Sequence, residues 1–282
     1  MIRLAAGETL WPAPAKLNLF LHITGQRPDG YHELQTLFQL IGLCDTVGIA
    51  LREDGRIERT AGPDNVLAEA DLTVRAAKSL QAASGTRWGA SLRILKRIPM
   101  GGGLGGGSSD AATTLLALNR LWGCHLPLSK LVELGLALGA DVPVFLHGSS
   151  AWAEGLGERL TPVELPERWF AIIHPGIAVA TREVFQAPEL TRNSPRLTMR
   201  AVLESGRNDC EAVVRARFPQ VSLAFEWLER QAPPARLTGT GSCVFAGFDS
   251  AAEAERVAAR VPDDWKSFVA RGLNISPARL IE

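Results

Sequence analysis

The chain is poor in cysteine, tyrosine and lysine, carries no surplus of charge of either sign, and has no long apolar run. Its four cysteines (Cys44, Cys124, Cys210, Cys243) are scattered, with no CxxC pair. That excludes a disulfide framework and a zinc site of the usual spacing, and predicts reduced core thiols in a cytoplasmic protein. Thirty Lys and Arg balance thirty Asp and Glu. With no basic run, the composition argues against a nucleic-acid partner held by phosphate electrostatics. No apolar stretch is long enough to span a bilayer, so no membrane partner is expected. The run Leu17 to Ile23 is broken by Asn18 and His22 and is followed by no small-residue cleavage site, so no signal peptide is expected either. Disorder is excluded by a 46% hydrophobic content over 282 residues, enough for a sizeable core and two domains. A monomer and a homodimer both remain open.

What is present is mixed in texture. "KLNLFLHI" (Lys16 to Ile23) alternates, which predicts a strand with Leu17, Leu19, Leu21 and Ile23 on one face and Lys16, Asn18, Phe20 and His22 on the other. "RPDGYH" is turn chemistry, and a second strand is expected over Leu34 to Ile41. Helices are expected over Ala70 to Ala83, from about Ser109 to Trp122, and over Leu128 to Gly139, with a strand over Ser91 to Ile98. After Gly148 the pattern changes to a hairpin turning at Gly155 to Gly157. Helices at Arg207 to Phe218 and Leu223 to Gln231, a strand at Cys243 to Phe248 and a helix at Ser250 to Val261 complete it. No repeat is visible. Strands and helices mix without strict βαβ alternation, so the expected class is α+β in two domains, 1–150 and 151–282.

The densest signal is "IPMGGGLGGGSSDAATTLLALNRLWG" (Ile98 to Gly123), a glycine run between a strand and a helix. Backbone N–H groups without Cβ atoms in the way can close on an anion, and a helix N-terminus adds unsatisfied donors and a positive dipole end. Ser108, Ser109 and Asp110 suit the helix start as caps, and the two serines could donate to phosphate or touch a metal ion. The P-loop pattern fails because Ser108, not lysine, follows Gly107. Gly101, Gly103 and Gly106 satisfy G-x-G-x-x-G, but the dinucleotide fold wants an acidic residue about 20 positions on, where Leu121, Trp122 and Gly123 stand. Neither a VAIK lysine strand nor an HRD loop is present, against a protein kinase. A flexible linker is the plain alternative, although such linkers rarely join a strand to an immediately apolar helix.

"PMGGGLGGGSSDAA" (Pro99 to Ala112) resembles the central motif of the GHMP kinase superfamily. "PAKLNLFLHITGQRPDGYHELQTLFQLI", "GADVPVF", "RNDCE" and "LTGTGSCVF" extend the resemblance, in that order, over nearly the whole chain. Within the superfamily they resemble the branch whose acceptor is 4-diphosphocytidyl-2-C-methyl-D-erythritol. The resemblance implies an N-terminal ribosomal-S5-domain-2-like ATP-binding domain and a ferredoxin-like C-terminal domain. It implies ATP-dependent phosphorylation of a hydroxyl of that cytidine diphosphate sugar alcohol, to the 2-phosphate, in non-mevalonate isoprenoid precursor biosynthesis, with ATP and Mg²⁺. The rival readings are another GHMP small-molecule kinase, a dinucleotide-binding oxidoreductase and a non-catalytic nucleotide-binding module.

Each residue role has a plain alternative. Asp141, in an apolar segment, must be paired or functional; from the residues alone it is a helix-terminal aspartate or a base, and the resemblance makes it the general base. Lys16 is one of five lysines against twenty-five arginines. Alone it reads as a solvated charge. By resemblance it stands beside Asp141 and keeps it ionised, since an opposite charge within ~4–6 Å lowers a carboxylate pKa. Asn18 would bind substrate nearby. Tyr31, the single tyrosine, and His32 are ordinary loop residues or, by resemblance, cytosine contacts. Phe185 is a core residue or a second ring on the base, and Thr181 a polar contact. The resemblance assigns ATP to Pro99, Met100, Gly101, Gly102, Gly103, Leu104, Gly105, Gly106, Gly107, Ser108 and Ser109, with Lys96 and Asp71 at the adenine. Asp71 stands where an asparagine is expected, and an acceptor-only carboxylate cannot replace both functions of an amide. Gly239 and Thr240 begin a second glycine loop, a hairpin turn or an approach to the transferred group. No carboxylate pair for Mg²⁺ is evident; Ser108 or Ser109 is the candidate.

Overall fold

The alternating residues on either side of the Arg27 to His32 turn fold into a hairpin much longer than the expected strands. In the computed structural model, which describes residues 2–3 and 7–279, a short β1 (Ile2–Arg3) is followed by β2 (Thr9–Gln26) and β3 (His32–Arg52). The turn closes by Gly30 N–H donating to Arg27 O at 2.9 Å and Arg27 N–H to Tyr31 O at 2.7 Å. β3 reaches 21 residues because different stretches of it serve different neighbours: β2, β5, β6 and β11 all pair with it.

The remaining elements follow in order. β4 (Ile57–Ala61), α1 (Leu72–Ser84), β5 (Gly89–Leu95), α2 (Gly106–Leu121), α3 (Leu128–Leu136) and α4 (Val142–His147) complete the first half. The second comprises β6 (Ala151–Gly155), β7 (Arg159–Pro162), β8 (Trp169–His174), α5 (Thr181–Phe185), α6 (Met199–Ser205), α7 (Glu211–Arg217) and α8 (Pro219–Gln231). β9 (Arg236–Leu237), β10 (Val244–Phe248), α9 (Ala251–Ala258) and β11 (Lys266–Leu273) end it. The sheet order is β1-β2-β3-β11-β8-β10-β9, with β5 and β6 also on β3, β4 parallel to β5, and β7 on β6. β11 joins the halves: Lys266 to Arg271 pair with β8, then Gly272 and Leu273 pair with Ile41 and Leu40 of β3. The β6–β7 hairpin, which follows Ser150, leans back on β3. Among the described residues no helix is long and apolar enough to cross a membrane.

Two local departures from the sequence reading matter for the site. First, β2 does not bury one face only: Lys16, Asn18, Phe20 and His22 are buried along with Leu17, Leu21 and Ile23, while Leu19 is partly exposed. The alternation also breaks at Leu19, where the pairing with β3 slips between Asn18 and Leu21. The freed backbone at Leu21 bonds instead to Arg207 O at 3.0 Å and accepts from Asp209 N at 2.8 Å, as bulges re-aim a strand. Second, α2 begins at Gly106 rather than near Ser109, because Gly105, at φ +72°, serves as the residue preceding the helix. Its apolar stripe of Ala111, Leu115, Leu118 and Trp122 packs on the sheet with α1, α3 and α4.

A second core lies between β8, β10 and the helices α7, α8 and α9. A third, with Ala15, Leu17, Ile41, Ile98, Leu104, Phe170, Cys243 and Phe245, lies on the seam between the halves. This apolar seam underlies the glycine loop and holds the halves together without relying on exposed ion pairs. The cysteines are free thiols; burial pushes Cys210 up to about 12 and Cys44 up to about 11.

Candidate active site

A cleft of about 1220 Å³ opens along this seam. Every site residue expected from the sequence lines it except Ser109. The Ser109 hydroxyl is completely buried on α2 and finds no hydrogen-bond partner among the described residues, whereas Ser108 faces the cleft.

Lys16 is the centre of the site. The bulge in β2 carries it under the glycine loop, where its ammonium donates to Asn18 Oδ1 at 2.6 Å and to Gly103 O at 2.9 Å. Asp141 Oδ2 lies 3.4 Å away, and the Phe38 ring 5.5 Å. Three donors on a compact ammonium thus have three oxygens. Asp141 occupies the N-cap position of α4 but its side chain makes no cap bond; it is 38% exposed, toward the cleft. A helix-start carboxylate left free of capping is available for chemistry. The amide of Asn18 is already taken, because its Nδ2 donates to Thr36 Oγ1 at 2.9 Å. Asn18 therefore aims Lys16. Thr238, from the second half, accepts from Asn18 N at 3.0 Å and donates to Gly103 O at 3.3 Å.

The glycine loop passes over this point. At Gly103, φ is +75° and a Cβ would lie 2.2 Å from Thr238 O; at Gly105 it would lie 2.9 Å from Phe145 Cζ and 3.2 Å from Lys16 Cε. Neither position has room for a side chain. The first-turn N–H groups of α2 at Gly106, Gly107 and Ser108 then face an open cleft, an anion site by geometry.

Beneath the loop lies a charge cluster that the sequence did not reveal. Fully buried Asp45 accepts from Ile98 N at 2.8 Å, from Arg97 N at 2.5 Å and from the Lys96 ammonium, which also donates to Asp110 Oδ2 at 2.7 Å. Lys96 is thus held by two carboxylates. Burial disfavours its charge, but Asp110 and Asp45 overcome that and its pKa rises. Burial also pushes Asp110 up to about 7 against the attraction of Lys96, with Asp45 and Asp71 adding like charge. Two carboxylates compete for one ammonium, so Asp110 takes up a proton near neutrality. Asp71 is similarly committed: Oδ1 caps α1 through Thr73 N at 2.9 Å and Thr73 Oγ1 at 2.7 Å, and Oδ2 accepts from Arg59 at 2.8 Å.

At the other end the lining is aromatic. Tyr31 is 63% exposed at the mouth. The His32 and Phe185 rings stack at 5.2 Å and 28°. Arg192, missed in the sequence, donates from Nε to His32 Nε2 at 3.1 Å. Burial, then the Arg192 charge, lower the His32 pKa. The Thr181 and Thr240 hydroxyls, both from the second half, lie 3.1 Å apart, and Asn208 braces the second glycine loop by donating to Gly239 O at 2.7 Å and Leu237 O at 2.9 Å.

No group of three His, Cys, Asp or Glu side chains fit to hold a metal ion occurs among the described residues. The oxygen donors beside the anion site, Ser108 and Asp141, fit a hard cation that keeps most of its shell from water and phosphate.

The chain matches the GHMP kinases N terminal domain over residues 71–149 and the GHMP kinases C terminal domain over residues 186–267. It is 57% identical over 268 residues to the 4-diphosphocytidyl-2-C-methyl-D-erythritol kinase of Alkalilimnicola ehrlichii, covering 94% of this chain and 91% of that one. Over 273 residues it is 54% identical to the enzyme of the same name from Cupriavidus metallidurans, covering 94% and 93%. A crystal structure of 4-(cytidine 5'-diphospho)-2C-methyl-D-erythritol kinase superposes with a TM-score of 0.83 at 34% identity, over 94% of this chain and 99% of that one. The Methanococcus jannaschii mevalonate kinase, with a TM-score of 0.71 at 15% identity over 96% and 100% of the chains, shares the fold.

Proposed function

The chain belongs to the GHMP kinases, in the family of the 4-diphosphocytidyl-2-C-methyl-D-erythritol kinases, and from this premise we infer how its cleft works. It is an ATP-dependent phosphotransferase that phosphorylates 4-diphosphocytidyl-2-C-methyl-D-erythritol, a step toward isoprenoid precursors. The product is the 2-phosphate. The observation that carries the assignment of roles is the Lys16–Asp141 pair, 3.4 Å apart, directly below the glycine loop and in one cleft with the aromatic end.

The ATP phosphates lie against the first turn of α2 and the glycine loop, with adenine toward Met100 and Asp71. Asp141 takes the proton of the attacking hydroxyl as its oxygen bonds to the γ-phosphorus and the bond from that phosphorus to the β–γ bridging oxygen breaks, releasing ADP. Lys16, held by Asn18 and Gly103 O, orients that hydroxyl and steadies the charge that builds on the transferred group. Transfer of this kind is mostly positioning and charge neutralisation. Mg²⁺, when bound with ATP, would neutralise phosphate charge and so ease transfer, and Ser108 is the hydroxyl placed to hold it. Tyr31, His32 and Phe185 take the cytosine, and Thr181 and Thr240 meet the acceptor between the two ends. The four free thiols suit a cytoplasmic enzyme. We place the boundary between the two units near Ser150, with the following hairpin resting on the first.

A coupled ADP-release assay tests this reading. The cytidine diphosphate methylerythritol acceptor should be turned over far faster than homoserine, mevalonate, galactose or bare methylerythritol phosphate. Equal turnover of the cytidylylated and bare sugar phosphates would remove the base pocket, and preference for another acceptor would replace this branch by a different one.

A further inference from the structure

We propose that Arg192 is a positioning residue that fixes the proton of His32 on Nδ1 and thereby makes the base pocket choose cytosine over uracil. The inference rests on reading the aromatic end of the cleft as the cytidine site.

A guanidinium has N–H groups and no acceptor. Arg192 Nε is 3.1 Å from His32 Nε2, so that ring nitrogen must offer a lone pair. The imidazole proton then has to reside on Nδ1. The other tautomer would set N–H against N–H, and an imidazolium would add two like charges. Burial and the Arg192 charge both favour the neutral ring.

Arg192 cannot easily yield. Its Nη1 donates to Leu190 O at 3.0 Å, and its Nη2 to Phe185 O at 3.1 Å and Ala187 O at 2.7 Å. Three carbonyls at and beyond the end of α5 hold the fork in one orientation, a rigidity lysine would not supply. The His32 ring is also stacked on Phe185, which resists a flip that would swap its two edges. No protein group among the described residues bonds to His32 Nδ1, and the residue lines the cleft.

The pocket therefore presents a permanent N–H donor. Cytosine offers N3 and O2 as acceptors. Uracil accepts at O2 as well but carries a proton on N3, so the two bases part where this donor faces N3, and there uracil opposes a donor to a donor. A site built around a fixed hydrogen bond rejects the analogue that cannot make it.

The test has two readouts. In ligand-free, ¹⁵N-labelled protein, long-range ¹H–¹⁵N correlations of His32 should show a protonated Nδ1 and a lone-pair Nε2, and Arg192→Met should convert this to a tautomer mixture. In kinetics, the wild type should prefer the cytidine over the uridine diphosphate acceptor by at least ~10²-fold in kcat/KM. Arg192→Met should narrow that to below about tenfold, with the KM for ATP unchanged. A wild-type His32 protonated on Nε2, or an undiminished base preference in folded Arg192→Met, overturns the proposal. If Arg192→Met does not fold, Arg192→Lys replaces it and the wild-type spectrum alone still decides the tautomer. Wild-type turnover indifferent to the cytidylyl group would overturn the underlying site reading instead, a result separable from the spectrum.

Discussion

Replacing Gly103 by alanine tests the close approach of the two glycine loops, on which the aim of Lys16 depends. Two penalties combine at this position. Its φ of +75° lies in the left-handed region, which costs an L-residue about 1–2 kcal/mol. The new Cβ would also stand 2.2 Å from Thr238 O and 3.0 Å from Gly241 O, both backbone atoms of the second loop. Forced displacement of packed groups costs about 1–3 kcal/mol. The expected loss is thus about 2–5 kcal/mol. Gly85 is the matched control, because its φ is +66° and nothing lies within 4 Å of its would-be Cβ; Gly85→Ala should lose only the backbone part, about 1–2 kcal/mol. Urea unfolding midpoints at constant m-value measure both. Gly103 O also accepts from Lys16 at 2.9 Å, so Gly103→Ala should lose at least ~10-fold in kcat under conditions where it remains folded, and Gly85→Ala should lose none. Equal destabilisation by the two substitutions, within about 0.5 kcal/mol, would show that the loops do not meet as described.

Asp141→Asn should keep ATP affinity by calorimetry while kcat falls at least ~10²-fold, the usual scale for a lost general base; near-normal turnover would sink that role. Phe185→Ala removes a stacking face worth ~1–3 kcal/mol per base, so kcat/KM for the cytidylylated acceptor should drop roughly ten- to a hundredfold with ATP affinity unaffected. An equal drop with bare methylerythritol phosphate would mean the ring only packs. For Asp110, held up to about 7 when folded and near 3.9 when unfolded, the native state holds the proton longer. Stability should therefore fall as pH rises between those values and level off above the upper one. Asp110→Asn removes that dependence, so its stability relative to wild type should improve from pH 5 to pH 8 in urea titrations; a constant difference would dismiss the shift.

How far the sequence spoke depended on the range of the interaction. The glycine loop, the Arg27 to His32 turn and the apolar stripe of α2 were legible because glycine, turn chemistry and helical period are local signals. The length of β3 was not, because its 21 residues reflect four different partners. The start of α2 was misplaced because a glycine in the left-handed region precedes two more inside the helix. Ser109 read as equal to Ser108, and only the helix phase separates the buried hydroxyl from the one facing the cleft. Lys96 read as a pocket cation, but its ammonium is claimed by Asp45, 51 positions away, and by Asp110.

The parts of the site with the most demanding geometry are also the most distant in the chain. Asn18 N meets Thr238 Oγ1 across 220 positions, and Arg192 meets His32 across 160. Neither pair has a local pattern; both need the second half drawn onto the first, which β11 does by pairing with β8 and β3. Lys16 depends on the same closure. A buried ammonium without oxygens around it would lose its charge or unfold its surroundings. Around Lys16, Asn18 Oδ1 comes from its own strand, Gly103 O from the loop above it and Asp141 from the start of α4. The loop that supplies Gly103 O is itself held down by Thr238 from the second half. The charge proposed to orient the acceptor is therefore held in place only when both halves are closed on the seam. A substitution in that apolar seam, far from any substrate atom, should act on catalysis through the position of Lys16 before it acts on global stability.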